Sequence, residues 1–345
     1  MEVIAGWTHK AVPIDDASRV GEARRHAAQA AAEMAWNEVD AGRVALVVTE
    51  LGTNLLRHAR KGRLLIASRP QMHEIEVVSI DEGPGIENLA LSMQDGHSSG
   101  STPGTGLGAV RRLADEFDIH SSVPEGTVCV ARVREARGRG AAEVPGAQRV
   151  QIGALCLPAP YESVSGDAWA ASVSPEGDNF NLLLVDGLGH GPEAAKAAQA
   201  ATEAFAEAPG REVRDALQQL HQRLQSTRGA AVCVLKLDTE GESIAWSGAG
   251  NIVGRVLSGI FDKGILTQHG TAGMQIRKPE AATMELPPHA LVVLHSDGIE
   301  TRWQADRIRP LLQKDPTLVA AVLLRDHTRH RDDATVVVLR RKEWR

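Results

Sequence analysis

The sequence predicts an α+β protein of two domains, an N-terminal α/β sandwich followed by an α-β-β-α sandwich. Three observations carry this. Up to residue 134 two long helical patterns precede a group of strand-like runs. Beyond residue 148 strand-like runs dominate, with two helices among them. Between them "REARGRGAAEVPGAQRV" is rich in Arg, Gly and Ala, holds one Pro and has no apolar periodicity, which is linker composition. The expected limits are 1–134, a linker over 135–147, and 148–345.

Taken in order, a first helix is expected to begin near Asp15 and run through "SRVGEARRHAAQAAAEMAW". A second begins with Asp40 as its N-cap and runs to Ala59. Strands follow at "RLLIAS" and "EIEVVSID", then a glycine-rich loop, a helix from Leu107 to Phe117, and strands at "DIHSS" and "TVCVARV". This order places helices on one face of a mostly antiparallel sheet. After the linker the strands are "VQIGALCL", "AWAASVS", "NFNLLLVD", "AAVCVLKLD", "SIAWSGA", "IVGRVL", "ALVVLHSD" and "ATVVVLR". Helices at Pro192–Ala208 and Arg211–Gln225 separate the third from the fourth, and Pro192 suits a first helical turn. Two stacked sheets flanked by helices accommodate this order.

Composition narrows the function classes. The 345 residues are 43% hydrophobic and 24% charged, ordinary for a globular chain with a real core. A net charge of −6 and only 3% aromatics argue against nucleic acid and anionic membrane as partners. Apolar runs such as "LVAAVLL" are too short to span a bilayer, and "MEVIAGWTHK" lacks the pattern of a signal peptide. Cys129, Cys156 and Cys233 each sit in an apolar strand-like run and read as buried hydrophobes. A cytoplasmic location is expected.

Two constellations carry chemistry. In "ELGTNLLRH", Glu50, Asn54 and His58 share one helix face. "VVSIDEGPGI" ends a strand on Asp81 and continues with Gly83 and Gly85, and "TPGTGLGAVRRL" sets Gly104, Gly106 and Gly108 before a helix, where backbone N–H groups can face a polyphosphate. In this order the motifs resemble the ATP-binding (Bergerat-type) domain of the gyrase/histidine-kinase superfamily, and within it the small bacterial serine kinases that include anti-sigma factors and the stressosome switch kinase. The resemblance covers about Ala11 to Val133. It implies that Glu50 activates the attacking group, that Asn54 holds Mg²⁺, and that Asp81 bonds the adenine amine in a pocket shaped by Gly83 and Gly85. Gly104, Gly106 and Gly108 would serve the phosphates of ATP, with Thr127 near the adenine. His58 stays open between a site role and a structural one. The short segment from Ile86 to Gly104 and the lack of a preceding phospho-acceptor histidine domain argue against a two-component sensor kinase.

The second constellation is a set of acids at strand ends: Gly166-Asp167, then Asp186 in "LLLVDGLGHGP", Asp297-Gly298, and Asp332-Asp333. Two carboxylates about 4 Å apart repel by roughly 4 kcal/mol at an effective dielectric of 20. Four of them without cations would strain a net stability of about 5–15 kcal/mol. If they converge they hold metal, and all-oxygen ligands favour Mg²⁺ or Mn²⁺ over zinc. The ordered set G-D, D-G-x-G-H-G, S-D-G and D-D-A-T-V-V-V resembles the metal-dependent serine/threonine phosphatases, most closely the bacterial sporulation and stress-response branch, over about Gln148 to Arg340. That resemblance makes Asp186 the acid bridging two Mn²⁺ or Mg²⁺ ions. Asp167 and the Gly187 carbonyl would serve the first metal, Asp297 and Asp332 the second, with Asp333 supporting the turn and the glycines bending the backbone toward the metal. His190 reads as structural. No counterpart of the phosphate-binding arginine that eukaryotic relatives carry near the first strand is found, and Arg149 is not nominated.

Together the resemblances imply a bifunctional serine/threonine kinase and metal-dependent phosphatase acting on STAS-domain antagonist proteins in a bacterial partner-switching pathway. A sigma factor or a downstream phosphatase is a further partner class, and a homodimer stays open because no heptad or apolar stripe marks an interface. The alternative is a Mn²⁺- or Mg²⁺-dependent phosphatase whose ATP-binding domain regulates or binds a sigma factor or antagonist without transferring phosphate.

Overall fold

The computed structural model describes residues 1–93, 106–136, 149–240 and 242–342. The chain forms two compact units, one of His9–Ala141 and one of Met1–Thr8 with Ala142–Arg345. The expected limit of the first domain at residue 1 is therefore displaced. Strand β1 (Glu2–Ala5) pairs antiparallel with the later strand β8 (Asp167–Val173), from Glu2↔Val173 to Ala5↔Ala170. Behind it Trp7 meets Trp169 edge to face, ring centroids 4.5 Å apart.

The His9–Ala141 unit contains β2 (Lys10–Pro13), α1 (Ala17–Glu33), α2 (Glu38–His58), β3 (Arg63–Arg69), β4 (Glu74–Ile80), α3 (Leu89–Ser92), α4 (Gly106–Leu113), β5 (Glu116–Ser122) and β6 (Gly126–Arg134). The sheet is antiparallel in the order β2-β3-β4-β6-β5. Helix α1 starts because Asp16 accepts from the Ser18 and Arg19 amides at 2.6 and 3.2 Å, which satisfies two of the helix's first N–H groups. Its buried residues Ala23, Ala27, Ala30 and Ala31 form one helical stripe. Helix α2 begins earlier than expected. Asn37 is the cap, accepting from the Asp40 amide at 3.0 Å, and Asp40 lies inside the first turn with its carboxylate bonded to Asn37 and Arg43. Helix α4 ends at Leu113, so Phe117 belongs to β5.

Strand periodicity splits the sheet's residues between its two faces. Leu64, Ile66, Ile75, Val77, Cys129 and Ala131 join the α1 and α2 stripes in the core. The opposite face carries charge: His9 Nε2 lies 3.1 Å from Glu76, Arg132 Nε donates to Glu76 at 2.7 Å, and Arg134 Nε donates to Glu74 at 2.8 Å. His9, Glu74, Glu76 and Arg132 are buried, a network that no local sequence pattern marks.

The second unit is an α-β-β-α sandwich. Its strands are β7 (Val150–Leu157), β8, β9 (Asn179–Gly187), β10 (Ala230–Asp238), β11 (Ser243–Ala249), β12 (Val253–Leu257), β13 (Asp262–Leu266), β14 (Gly270–Thr271), β15 (Gln275–Ile276), β16 (Ala282–Glu285), β17 (Leu291–His295) and β18 (Ala334–Arg341). One sheet runs β1-β8-β9-β10-β11-β16 and the other β13-β12-β17-β18-β7. Helices α5 (Pro192–Glu207) and α6 (Val213–Leu224) bury Ala197, Ala201, Leu217 and Leu220 with Leu183 and Val232 of the first sheet. After the short α7 (Ala305–Ile308), α8 (Pro316–His327) packs beside β7 and β18, approaching so closely that a Cβ on Gly153 would lie 2.1 Å from the Thr317 nitrogen. Cys129, Cys156 and Cys233 are free and buried, and burial pushes the Cys156 thiol up to about 11.

Candidate active sites

In the first unit the predicted residues come from three elements. Helix α2 turns Val44, Val47, Val48, Leu51 and Leu55 to the core, which leaves Glu50 and Asn54 half-buried beside that stripe and His58 exposed in the last turn. Asp81 directly follows β4, is buried, and accepts from the Gly83 amide at 2.7 Å; its own amide donates to the Thr127 carbonyl at 3.0 Å. Gly85 lies at φ +77°, and a Cβ there would stand 2.6 Å from the Ser122 carbonyl oxygen, so glycine is needed for both reasons. The Glu82 amide donates to the Arg60 carbonyl at 2.9 Å, and a Cβ on Gly83 would meet the His58 carbonyl at 3.1 Å. These contacts bring the end of α2 against the Asp81 loop, one turn beyond Asn54. On the other side the Thr127 and Ser121 hydroxyls pair at 2.8 Å, and Ser121 accepts from the Ile86 amide. Gly106 and Gly108 open α4, while Gly104 lies outside the described residues.

In the second unit topology does the gathering. β8 and β9 are antiparallel neighbours, so the start of one and the end of the other meet, and Asp167 and Asp186 are register partners. β17 and β18 are likewise neighbours, which sets Asp297, just after β17, at the same end as Asp332 and Asp333, just before β18. Ser296 ties the sheets together, its hydroxyl donating to Asp167 Oδ2 at 2.6 Å and accepting from the Thr335 amide at 3.0 Å. Asn251 donates to Asp297 Oδ2 at 2.7 Å. Asp333 Oδ1 accepts from the buried Ala159 amide at 2.8 Å and so pins the loop after β7. Neither Ser296 nor Asn251 was singled out from the sequence. Ser296 could have been, since it sits inside the S-D-G motif.

The electrostatics record the convergence. Burial, then the charges of Asp297 and Asp332, push Asp186 up to about 8. Burial, then Asp186, raises Asp167 well above the carboxylate range, and burial with Asp332 raises Asp297. For Asp167, Asp186 and Asp297 burial is the larger cause and the neighbouring acids add to it. Two buried carboxylate oxygens, Asp167 Oδ1 and Asp333 Oδ2, receive no hydrogen bond. Among the described residues no three His, Cys, Asp or Glu side chains stand as a closed ligand shell. Orphaned oxygens, an all-oxygen donor set and mutual repulsion fit a hard divalent cation.

The glycines of this turn divide their work differently from the sequence expectation. Gly189 and Gly191 reverse the backbone at φ +86° and +75°. Gly187 is the last residue of β9, and its missing side chain admits the Ala194 carbonyl of α5, which a Cβ would meet at 2.3 Å. His190 is exposed and pairs with Glu162 at 2.7 Å.

Fold and sites define a protein that joins a histidine-kinase-type ATPase sandwich to a PP2C-like phosphatase sandwich. Residues 13–133 match the histidine kinase-like ATPase domain family, and residues 176–342 match the stage II sporulation protein E (SpoIIE) family. The serine/threonine-protein kinase RsbT of Bacillus subtilis (strain 168) is 34% identical over 108 residues, 30% of this chain and 80% of that protein. The chain belongs to the RsbT family through its first unit, fused to a SpoIIE-type phosphatase domain. Two solved structures share the fold over 56% of the chain. One comes from work on the bacterial stressosome as a modular system adapted to control secondary messenger signaling (24% identical, all of that chain covered, TM-score 0.52). The other is RsbX in complex with magnesium (20% identical, 96% of that chain covered, TM-score 0.50). No helix among the described residues is long and apolar enough to cross a membrane.

Proposed function

We propose that this chain both writes and erases a phosphate: an ATP-dependent serine/threonine kinase over residues 9–134, and a metal-dependent phosphatase over residues 148–345 completed by residues 1–8. The substrate class is the STAS-type antagonist protein of a partner-switching pathway. The observation that carries the reading is the meeting of Asp167, Asp186, Asp297 and Asp332 at one end of two sheets, joined to a kinase-like unit with Glu50, Asn54 and Asp81 in family order.

In the kinase, Glu50 would take the proton of the substrate hydroxyl and Asn54 would hold the Mg²⁺ that accompanies ATP. Asp81, fixed by the Gly83 amide, accepts from the adenine amine, with Gly85 and Thr127 completing the pocket wall. Gly106 and Gly108 leave the α4 amides open to the phosphates, with Gly104 preceding them.

In the phosphatase, Asp186 would serve both of two Mn²⁺ or Mg²⁺ ions, Asp167 and the Gly187 carbonyl the first, and Asp297 and Asp332 the second. Bound there, the metals would lower the pKa of a water and neutralise phosphoryl charge. The chain's own part is orientation: Ser296 fixes the Asp167 carboxylate, Asn251 that of Asp297, and Asp333 the Ala159 loop.

Two half-reactions on purified full chain test this. Glu50→Gln abolishes transfer from ATP to a STAS-domain protein while nucleotide still binds. Asp186→Asn abolishes Mn²⁺-dependent hydrolysis of a phosphoserine peptide. Transfer that survives Glu50→Gln, or hydrolysis that survives Asp186→Asn or needs no metal, overturns the corresponding half.

A further inference from the structure

We propose that the cleft of about 510 Å³ lined by Glu300, Thr301, Arg302, Thr328, Arg329 and Arg331 is an oxyanion-docking site for the protein substrate of the phosphatase. The proposal rests on the phosphatase reading above. The occupant is the segment around the phosphoserine, held through its acidic side chains.

Position is the first argument. The cleft's two walls are the segments that continue from Asp297 and lead into Asp332. They are stitched side by side: Ile299 and Thr328 form a β-bridge, the Glu300 amide donates to the His327 carbonyl at 2.8 Å, and the Arg329 amide donates to the Gly298 carbonyl at 2.9 Å. A polypeptide whose phosphoserine reaches the acid cluster therefore has its neighbouring residues beside this cleft.

Charge is the second. In a chain of net charge −6 this cleft gathers three guanidiniums. None of the three side chains makes a hydrogen bond or salt bridge among the described residues, whereas Arg255 is paired with Asp262 and Arg325 with Asp326. The one acid in the cleft, Glu300, leans instead toward His327 at 3.9 Å. Exposed arginine forks match carboxylates and phosphate bidentately, with a geometry that lysine does not reproduce.

Carboxylates flanking the phosphoserine and the phosphoryl group itself present the same chemistry, and substrates separate them. Full-length wild type and the Arg302→Gln/Arg329→Gln variant are compared with Mn²⁺ on three substrates: a phosphoserine peptide with Asp and Glu at its flanks, the same peptide with Asn and Gln there, and p-nitrophenyl phosphate. The variant is expected to lose about tenfold in kcat/KM on the acidic peptide, a factor typical of losing a charged hydrogen bond. It keeps its rate on the other two, and the wild-type preference for acidic flanks fades with salt. An equal loss on all three assigns the guanidiniums to the phosphoryl group instead and overturns the flanking assignment. Unchanged kinetics on the acidic peptide overturn the site altogether. If wild type hydrolyses nothing, the phosphatase reading has failed. Fluorescence anisotropy of the labelled acidic phosphopeptide then decides the cleft separately: weaker binding to the variant supports it, and equal affinity refutes it.

Discussion

Replacing Asp186 by Asn should stabilise the metal-free protein at alkaline pH while making it indifferent to metal. Asp186 is moved from its ordinary 3.8 up to about 8 by burial and by Asp297 and Asp332. The sign follows from linkage: the unfolded chain loses this proton near pH 4 and the folded, metal-free chain keeps it to about pH 8. Stability is thus full below pH 4 and falls as pH rises toward 8. At 1.36 kcal/mol per pH unit the ceiling is about 6 kcal/mol, shared with the acids to which Asp186 is coupled. A third of that, about 2 kcal/mol, corresponds to roughly 4–8 °C in the Tm of a unit of this size. Calorimetry in chelator at pH 5 and pH 8 should therefore show a smaller pH-dependent drop for Asp186→Asn, and a higher Tm than wild type at pH 8. Mn²⁺ at a hundred times its Kd should then raise wild type by about 2.7 kcal/mol and leave the variant nearly unmoved, so the order of stabilities inverts. An Asn variant with the wild-type pH slope, or with an equal Mn²⁺ shift, would refute the claim that this carboxylate sits at the centre of a metal-requiring acid cluster.

Three further outcomes follow from the packing. Burial alone would raise the Glu76 carboxyl, but Arg132, the His9 hydrogen bond and Arg69 hold it well below the carboxylate range. Its contribution is present above about pH 4.5 and lost in acid, so Glu76→Gln should cost the first unit about 3–5 kcal/mol at pH 7 and flatten its acid arm in urea titrations. Gly187→Ala puts a Cβ 2.3 Å from the Ala194 carbonyl; about 1–3 kcal/mol is lost, with reduced Mn²⁺-dependent hydrolysis, and wild-type stability would show that α5 does not pack as described. Trp7→Ala removes the partner of Trp169 and should destabilise the second unit by about 3 kcal/mol, leaving the first unit's melting transition in place; a drop in the first unit alone would place residues 1–8 wrongly.

How much of this was legible in the sequence depended on whether the cause was local. Asp81, Asp167, Asp186 and Asp297 sit where an apolar strand meets a glycine turn, so a few neighbouring residues are enough to mark their positions. β1 was missed because its partner is β8, with Glu2 opposite Val173, and no short window holds that pairing. α8 was missed for the opposite reason: every residue from Pro316 to Arg325 is buried, so no polar face marks a 3.6-residue period. Asp40 was taken for a cap because Asn37 and Asp40 are both capping residues, and only their mutual hydrogen bond shows which one precedes the helix. The basic cleft escaped notice because its two walls meet through backbone pairing of Gly298–Glu300 with His327–Arg329, segments far apart in the sequence.

The central claim is that one chain adds and removes phosphate at the same residue. The direct measurement incubates host lysate with γ-labelled ATP and full-length Asp186→Asn, which writes without erasing, or the Glu50→Gln/Asp186→Asn double variant, and maps the labelled residue by mass spectrometry. The account predicts one discrete STAS-domain protein labelled at a single Ser or Thr only when Glu50 is present, with that same site cleared by wild type and Mn²⁺. A Glu50-dependent label that wild type cannot clear, or no Glu50-dependent label while ATP binding is intact, would contradict it.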